Sequence, residues 1–276
     1  MALAQEDFAF IRQLVHRHAA IVLDPGKEYL VESRLAPLAQ SEGGSSISDL
    51  VGWLQSDRSG RLAGKVVDAM TTNETLFFRD GHPFEALRNV VLPELFAARA
   101  AERRVDVWCG ASSSGQEPYS LAIVLQELLA QHPGYRTTLL ATDLNEEMLE
   151  RTRAGSYSQL EVNRGLPATM LVKHFDKQGT HWQVKPELRA MVQTRQVNLA
   201  APFPSLGPFD IVFLRNVLIY FDTDTKRRVL DQVRRVLRPD GYLFLGGAET
   251  TLTIDGSWER HTIGSSTAYR PGKDLP

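Results

Sequence analysis

The 276-residue sequence predicts a doubly wound α/β domain preceded by a small all-helical domain, and three observations predict it. Up to about Thr72, apolar residues recur at helical spacing with no competing strand-like alternation. From Arg104 onward, short apolar runs alternate with amphipathic helical stretches, the mark of a parallel sheet wound by right-handed crossovers. The first of those runs ends in a turn of small residues, Gly110-Ala111-Ser112-Ser113-Ser114-Gly115, and a helix follows from Pro118.

In chain order, the expected helical domain occupies residues 1–72. Leu30, Val31, Leu35 and Leu38 share one helical face, and Leu62, Val66, Val67 and Met70 share another. Asp24-Pro25-Gly26 makes a turn, and Gly43-Gly44-Ser45-Ser46 interrupts the pattern before a further helix over 48–54. Residues 73–83 form an interdomain linker, and the α/β domain runs over 84–276. Pro93 divides 84–103 into two helical pieces. Strands are expected at 105–109, 138–142, 191–197, 209–214 and 242–245. A helix over 223–237 presents Val229, Leu230, Val233, Val236 and Leu237 on one face, and Pro239-Asp240-Gly241 stops it. The irregular stretch at about 156–190 is too long for a plain connection and reads as a small inserted subdomain.

Composition narrows the classes of function. Hydrophobic residues at 43% and charged residues at 23% indicate a folded globular chain. A net charge of −2 with scattered basic residues lacks the phosphate-neutralising surface of a nucleic-acid binder. The single cysteine, Cys109, excludes an intrachain disulfide framework and suits a reducing compartment. Met1 to Phe10 carries Glu6 and Asp7 and lacks a signal-peptide pattern, and there is no apolar run of about 18 residues to insert in a membrane. A cytoplasmic protein is expected. His16 and His18 are two apart, do not share a helix face, and have no third ligand at metal spacing, so no metal is expected.

Four segments carry chemistry. The small-residue turn at 110–115 lets a ligand approach the backbone closely, although a plain tight turn reads the same way and neither a dinucleotide fingerprint nor a Walker lysine accompanies it. Asp143 ends the second strand, where a carboxylate can accept both hydroxyl hydrogens of a ribose; it could equally cap the next helix, unless Asn145 does so. In Thr71 to Asp80, polar residues surround Phe77-Phe78, a pair that packing alone could explain, and Arg79 offers a bidentate fork to a carboxylate. Arg215 and Asn216 follow the fourth strand at its carboxyl end, and Tyr220 lies just beyond, as a site residue or a core tyrosine.

Together these segments resemble the chemotaxis receptor methyltransferase family, usually called CheR. The resemblance spans nearly the whole chain and rests on Asn73-Glu74-Thr75-Leu76-Phe77-Phe78-Arg79, Ser114-Gly115-Gln116-Glu117-Pro118-Tyr119-Ser120, Ala141-Thr142-Asp143 and Arg215-Asn216-Val217-Leu218-Ile219-Tyr220-Phe221. It implies a Rossmann-like class I methyltransferase that carries a methyl group from S-adenosyl-L-methionine to glutamate side chains on the cytoplasmic domain of a methyl-accepting chemotaxis-type receptor, leaving S-adenosyl-L-homocysteine. By position, Asn73, Thr75 and Arg79 would contact the cofactor from the linker. Glu117 would meet its methionine end, Asp143 the ribose, Asn198 and Leu199 the adenine, and Arg215 and Asn216 the methionyl part. Arg79 and Tyr220 would form the active-site pair beside the methyl group.

Three departures stand out against that family. Ala111 and Ser112 replace a common glycine and cysteine, both staying small. The stretch 34–40, where members carry an arginine-rich receptor-facing helix, offers only Arg34 and the helix-breaking Pro37. Residues 175–188 form a shorter insertion than in members that dock a receptor's C-terminal pentapeptide, which argues against that tether. Two other readings compete: a methyltransferase of small molecules, and a non-catalytic module that senses the cofactor or its product.

Overall fold

The computed structural model describes residues 3–272; residues 1 and 276, the outer bounds of the two expected domains, lie outside them. The helical domain comprises α1 (Gln5–Ala19), α2 (Glu28–Ser41), α3 (Ile47–Ser56) and α4 (Arg61–Met70). Ile11, Val15, Val31, Leu35, Leu50 and Val66 are fully buried at its centre. Reciprocal bonds between Ser46 and Asp49 start α3 as a capping box. Pro37, read as a helix breaker, does not break α2. It costs one backbone hydrogen bond, but Val31, Leu35 and Ala39 on the opposite side are buried, and their packing outweighs a local penalty of about 3 kcal/mol.

Beyond the linker, α5 (His82–Ala86), a π-turn (Leu87–Val91) and α6 (Leu92–Ala98) follow one another without a gap. The expected division into two helical pieces is present, but it falls at the π-turn just before Pro93, which itself lies in the first turn of α6. The sheet is then built from β1 (Arg104–Gly110), α7 (Gln116–Leu129), β2 (Arg136–Asp143) and α8 (Glu146–Ala154). An inserted unit comes next: β3 (Ser156–Ser158), α9 (Gln159–Asn163), α10 (Ala168–His174), β4 (Phe175–Gln178), β5 (His181–Val184) and α11 (Pro186–Arg189). The chain returns through β6 (Val192–Gln196), β7 (Phe209–Leu214), α12 (Thr223–Val236), β8 (Leu237–Leu245), β9 (Trp258–Ile263) and β10 (Ser266–Pro271).

The main sheet has seven strands in the order β6-β2-β1-β7-β8-β10-β9, parallel from β6 to β8 and antiparallel thereafter. All five expected strands are present, whereas the β9–β10 hairpin was not expected. Residues 239–241, read as a helix stop, instead lie inside β8, where Phe209 pairs with Leu237 and Ile211 with Tyr242 across a bulge. Arg99 pins that irregularity, bonding Asp210 at 2.7 Å and Asp240 at 2.8 and 2.6 Å. The inserted strands form a separate antiparallel sheet, β3-β5-β4. Phe77 from the linker is fully buried against it, 5.1 Å from the Tyr157 ring and 5.6 Å from that of Phe175. Packing thus explains Phe77.

Candidate active site

A cleft of about 860 Å³, open mouth included, lies at the carboxyl ends of β1, β2 and β7, the position where open parallel sheets bind ligands. The linker and the end of α1 wall it from the other side, through Asn73, Glu74, Thr75, Arg79, Ala19 and Ile21. All ten expected site residues line this one cleft: Asn73, Thr75, Arg79, Glu117, Asp143, Asn198, Leu199, Arg215, Asn216 and Tyr220.

The turn after β1 is tight because its neighbours leave no room. A Cβ on Gly110 would lie 2.9 Å from Leu214, and one on Gly115, at φ +99°, would lie 2.7 Å from the Tyr157 hydroxyl. Ala111 and Ser113 take φ of 53° and 50°, and Asn216 across the cleft takes 58°, so left-handed backbone concentrates around the site. Ser113 joins three parts of it. Its N–H donates to Asp143 at 2.8 Å, its hydroxyl donates to the Asn73 carbonyl at 2.7 Å, and its carbonyl accepts from Thr152 at 3.1 Å.

Asp143 is buried and accepts from the backbone N–H groups of Ser113 and Asn145 at 2.8 and 2.9 Å. Burial pushes its carboxyl above the ordinary range, against the pull of those N–H donors. It does not cap α8. Asn145 does, accepting from Met148 N–H at 3.3 Å. A carboxylate has about four acceptor positions, so two remain for a ligand.

Two arginines reach the cleft in opposite conditions. Arg215 is buried, with one terminal nitrogen on Glu117 at 2.5 Å and the other on Asp80 at 2.5 Å and on the Arg79 carbonyl at 3.1 Å. Arg79 makes one long bond, 3.3 Å to the Glu74 carbonyl, so most of its five donors are free among the described residues. Tyr220 is half-buried in a 3₁₀ turn (Leu218–Tyr220), and its hydroxyl has no partner among the described residues. A core tyrosine would have one. Asn198 is committed: its amide donates to the His18 carbonyl at 2.7 Å and its oxygen accepts from Ala200 N–H at 2.9 Å. Among the described residues, no histidine lines the cleft. Among the described residues, no group of three or more His, Cys, Asp or Glu is placed to hold a metal, and no helix is long and apolar enough to cross a membrane.

Residues 73–265 match the family model described as CheR methyltransferase, SAM binding domain, and residues 6–71 match CheR methyltransferase, all-alpha domain. The chain belongs to the CheR methyltransferase family. It is 42% identical to Chemotaxis protein methyltransferase 1 of Pseudomonas aeruginosa, over 98% of this chain and 99% of the relative. It is 43% identical to Chemotaxis protein methyltransferase Cher2 of Pseudomonas putida, over 90% of this chain and 92% of the relative. Against Chemotaxis protein methyltransferase 1 of Vibrio cholerae the identity is 39%, over 98% of each.

As a CheR methyltransferase the chain uses S-adenosylmethionine and acts in chemotaxis. The cleft fits that cofactor on its own terms: a buried carboxylate with acceptor capacity to spare, a small-residue turn, and a second carboxylate held by a buried arginine. Three parts of this CheR site went unread in the sequence. Asp80 is Arg215's second partner, at φ 68°. Arg34, expected where members carry a receptor-facing surface, turns inward, donating to the carbonyls of Met70 and Thr71 at 2.6 and 3.0 Å and to the Thr72 hydroxyl at 2.9 Å. Glu249 stands behind the Asn216–Tyr220 loop; its one sequence signal is an acid just after the Gly246-Gly247 pair that ends the last parallel strand.

Proposed function

We propose that the chain methylates glutamate side-chain carboxylates on the cytoplasmic domain of a chemotaxis-type receptor, and works in the cytoplasm. The observation that carries this reading is the pairing in one cleft of an uncommitted guanidinium, Arg79, and an uncommitted hydroxyl, Tyr220, with no histidine beside them. A glutamate acceptor has an ordinary pKa of about 4.3 and is already the anionic nucleophile at neutral pH, so the site needs no general base. When bound, S-adenosylmethionine supplies an electrophilic methyl group on a positively charged sulfur.

Each residue's task follows from its free valences. Asp143 takes the ribose hydroxyls on its two spare acceptor positions. Glu117 takes the amino end of the methionyl part, and Arg215 serves that end by holding Glu117 in place. Leu199 packs against the adenine, and Asn198, with its side chain engaged, offers only backbone groups there. Asn73, Thr75 and Asn216 complete the binding surface. Arg79 holds the methionyl carboxylate or steers the acceptor, and Tyr220 hydrogen-bonds the incoming carboxylate. Excluding water from between the opposite charges, which vanish during transfer, lowers the barrier. Docking needs no receptor pentapeptide, because the inserted hairpin is short, four residues in each of β4 and β5.

The test offers labelled S-adenosylmethionine to a receptor cytoplasmic fragment, with and without its C-terminal tail, and to a metabolite extract. Base-labile methyl esters on receptor glutamates, formed equally on both fragments, are expected. Label solely in metabolites overturns the protein substrate, and tight cofactor binding without any turnover overturns catalysis.

A further inference from the structure

Glu249 has no part in the assignments above, yet its carboxylate makes the densest set of backbone contacts in the site. One oxygen accepts from the N–H groups of Val217, Leu218 and Ile219 at 2.9, 2.7 and 3.3 Å, and the other from Asn216 and Gly246 at 2.7 and 2.6 Å. Four of these donors are consecutive, 216 to 219, and the left-handed Asn216 at φ 58° turns the first of them inward with the rest. Such a run of N–H groups is an anion cradle, filled here by the protein's own carboxylate. Gly246 makes room for it. A Cβ there would stand 2.7 Å from both the Glu249 oxygen and the Asn216 side-chain nitrogen, and 2.9 Å from the Asn216 backbone nitrogen.

The loop so held has a cleft residue at each end, Asn216 and Tyr220. No other side chain bonds the N–H groups of 216 to 219 among the described residues, so Asn216 is aimed by this carboxylate, and Tyr220 by the turn it holds together with the Val22 N–H that the Tyr220 carbonyl accepts at 2.9 Å. We propose that Glu249 is a positioning residue for methyl transfer, fixing Asn216 and Tyr220 relative to Asp143 at the end of β2 and Glu117 in the first turn of α7. The proposal rests on the reading of Tyr220 given above. Rate is more sensitive than affinity to such a shift, since a displacement of about 1 Å can cost on the order of a hundredfold.

The experiment compares full-length wild type with Glu249→Ala, Glu249→Gln and a control, Val233→Ala, which opens a hole in the buried face of α12 away from the cleft. Four quantities are read: amide hydrogen exchange at 216–221, thermal midpoint, kcat on a receptor fragment, and the dissociation constant for S-adenosylhomocysteine. In Glu249→Ala, amides 216–219 should lose protection and kcat should fall at least about tenfold. Product affinity should move several times less than kcat, because Asp143 and Glu117 are untouched and only Asn216 of the binding surface is displaced. Glu249→Gln should fall between, keeping an acceptor for one group of N–H donors and setting an NH₂ against the other. It also carries the test if the alanine variant does not fold. Val233→Ala should lose stability and keep kcat within about twofold. Unchanged protection at 216–219, or a kcat loss no larger than the control's, overturns the proposal. A wild-type enzyme that transfers no methyl group sinks the reading of the reaction instead, and exchange at 216–219 then decides the anchor by itself.

Discussion

Arg79 and Arg215 lie in the same cleft, and their partners give them opposite consequences on mutation. Arg79→Ala removes one 3.3 Å bond, so stability should change by less than about 0.5 kcal/mol while transfer falls steeply. Arg215→Ala leaves Glu117 buried without its cation and should cost about 3–5 kcal/mol besides activity. Thermal midpoints beside kcat/KM separate the two; equal destabilisation would refute the distinction. Tyr220→Phe belongs with Arg79, with stability kept and kcat lowered. Asp143 adds a pH signature. Burial raises its carboxyl pKa, so its contribution to stability is whole below the ordinary carboxylate pKa and is lost as pH rises through the raised value. Across an acid-to-neutral series, wild type should therefore lose ground relative to Asp143→Asn as pH rises, and the variant should bind S-adenosylhomocysteine at least about tenfold more weakly. At this scale the sequence was legible in where residues stand and illegible in what they are bonded to. Strand ends in a doubly wound sheet converge by topology, so Asp143, Arg215 and Asn216 could be read from apolar runs and the residues after them, whereas Asn73, Thr75, Glu117, Asn198 and Leu199 came only from the family resemblance. Which arginine is sequestered, and that Asn198 is spent on His18, depends on contacts between residues 98 to 180 apart, and no local pattern encodes those.

Elements were legible where burial imposes a period and illegible where one residue type carries two meanings. The central parallel strands β1 and β7 are buried on both faces, and β7 matched its expected bounds because all six of its residues are buried. The β9–β10 hairpin buries Trp258, Ala268 and Tyr269 but leaves much of β9 exposed, so its apolar signal is too thin to read. Proline was the recurrent source of error: Pro37 is absorbed by α2, Pro93 sits harmlessly in a first turn, and Pro239 lies in a bulge held by Arg99. Each outcome is set by tertiary packing, which overrides local preference. One glycine joins two elements in the same way. Gly165, after α9, has φ +90°, and a Cβ there would lie 2.0 Å from the Phe77 carbonyl, so the inserted unit clasps the linker backbone. Gly165→Ala should destabilise by roughly 2–4 kcal/mol, through both strain and the clash. A midpoint within about a degree of wild type would show that the clasp yields freely.

On the scale of the whole molecule, the helical domain is a wall of the cleft rather than an appendage. An antiparallel bridge joins Ile21 to Phe221, Val22 N–H donates to the Tyr220 carbonyl at 2.9 Å, and His16 meets Asp222 at 3.0 Å. Asp222 also caps α12 through Thr225 N–H at 2.7 Å; that bond and His16 hold its carboxyl down at about 2. Its stabilising share is thus present above the ordinary carboxylate pKa and lost as pH falls from there towards about 2. Arg34 acts inside the helical domain, where it meets the linker, and it decides between two roles for α2. If Arg34 faced a receptor, Arg34→Ala would raise KM for the receptor and leave cofactor binding alone. Its guanidinium instead gathers two carbonyls and a hydroxyl over residues 70–72, immediately before Asn73, whose carbonyl takes the Ser113 hydroxyl on the cofactor side. Removing it frees the ends of α4 and the linker together, at about 1–2 kcal/mol for three partly exposed charge-assisted bonds. Titration of Arg34→Ala with S-adenosylhomocysteine should show severalfold weaker binding and a lowered midpoint, with KM for the receptor changed no more than the cofactor term requires. A variant that binds product as wild type does while losing only receptor affinity would return Arg34 to the surface role that its position in the second helix first implied.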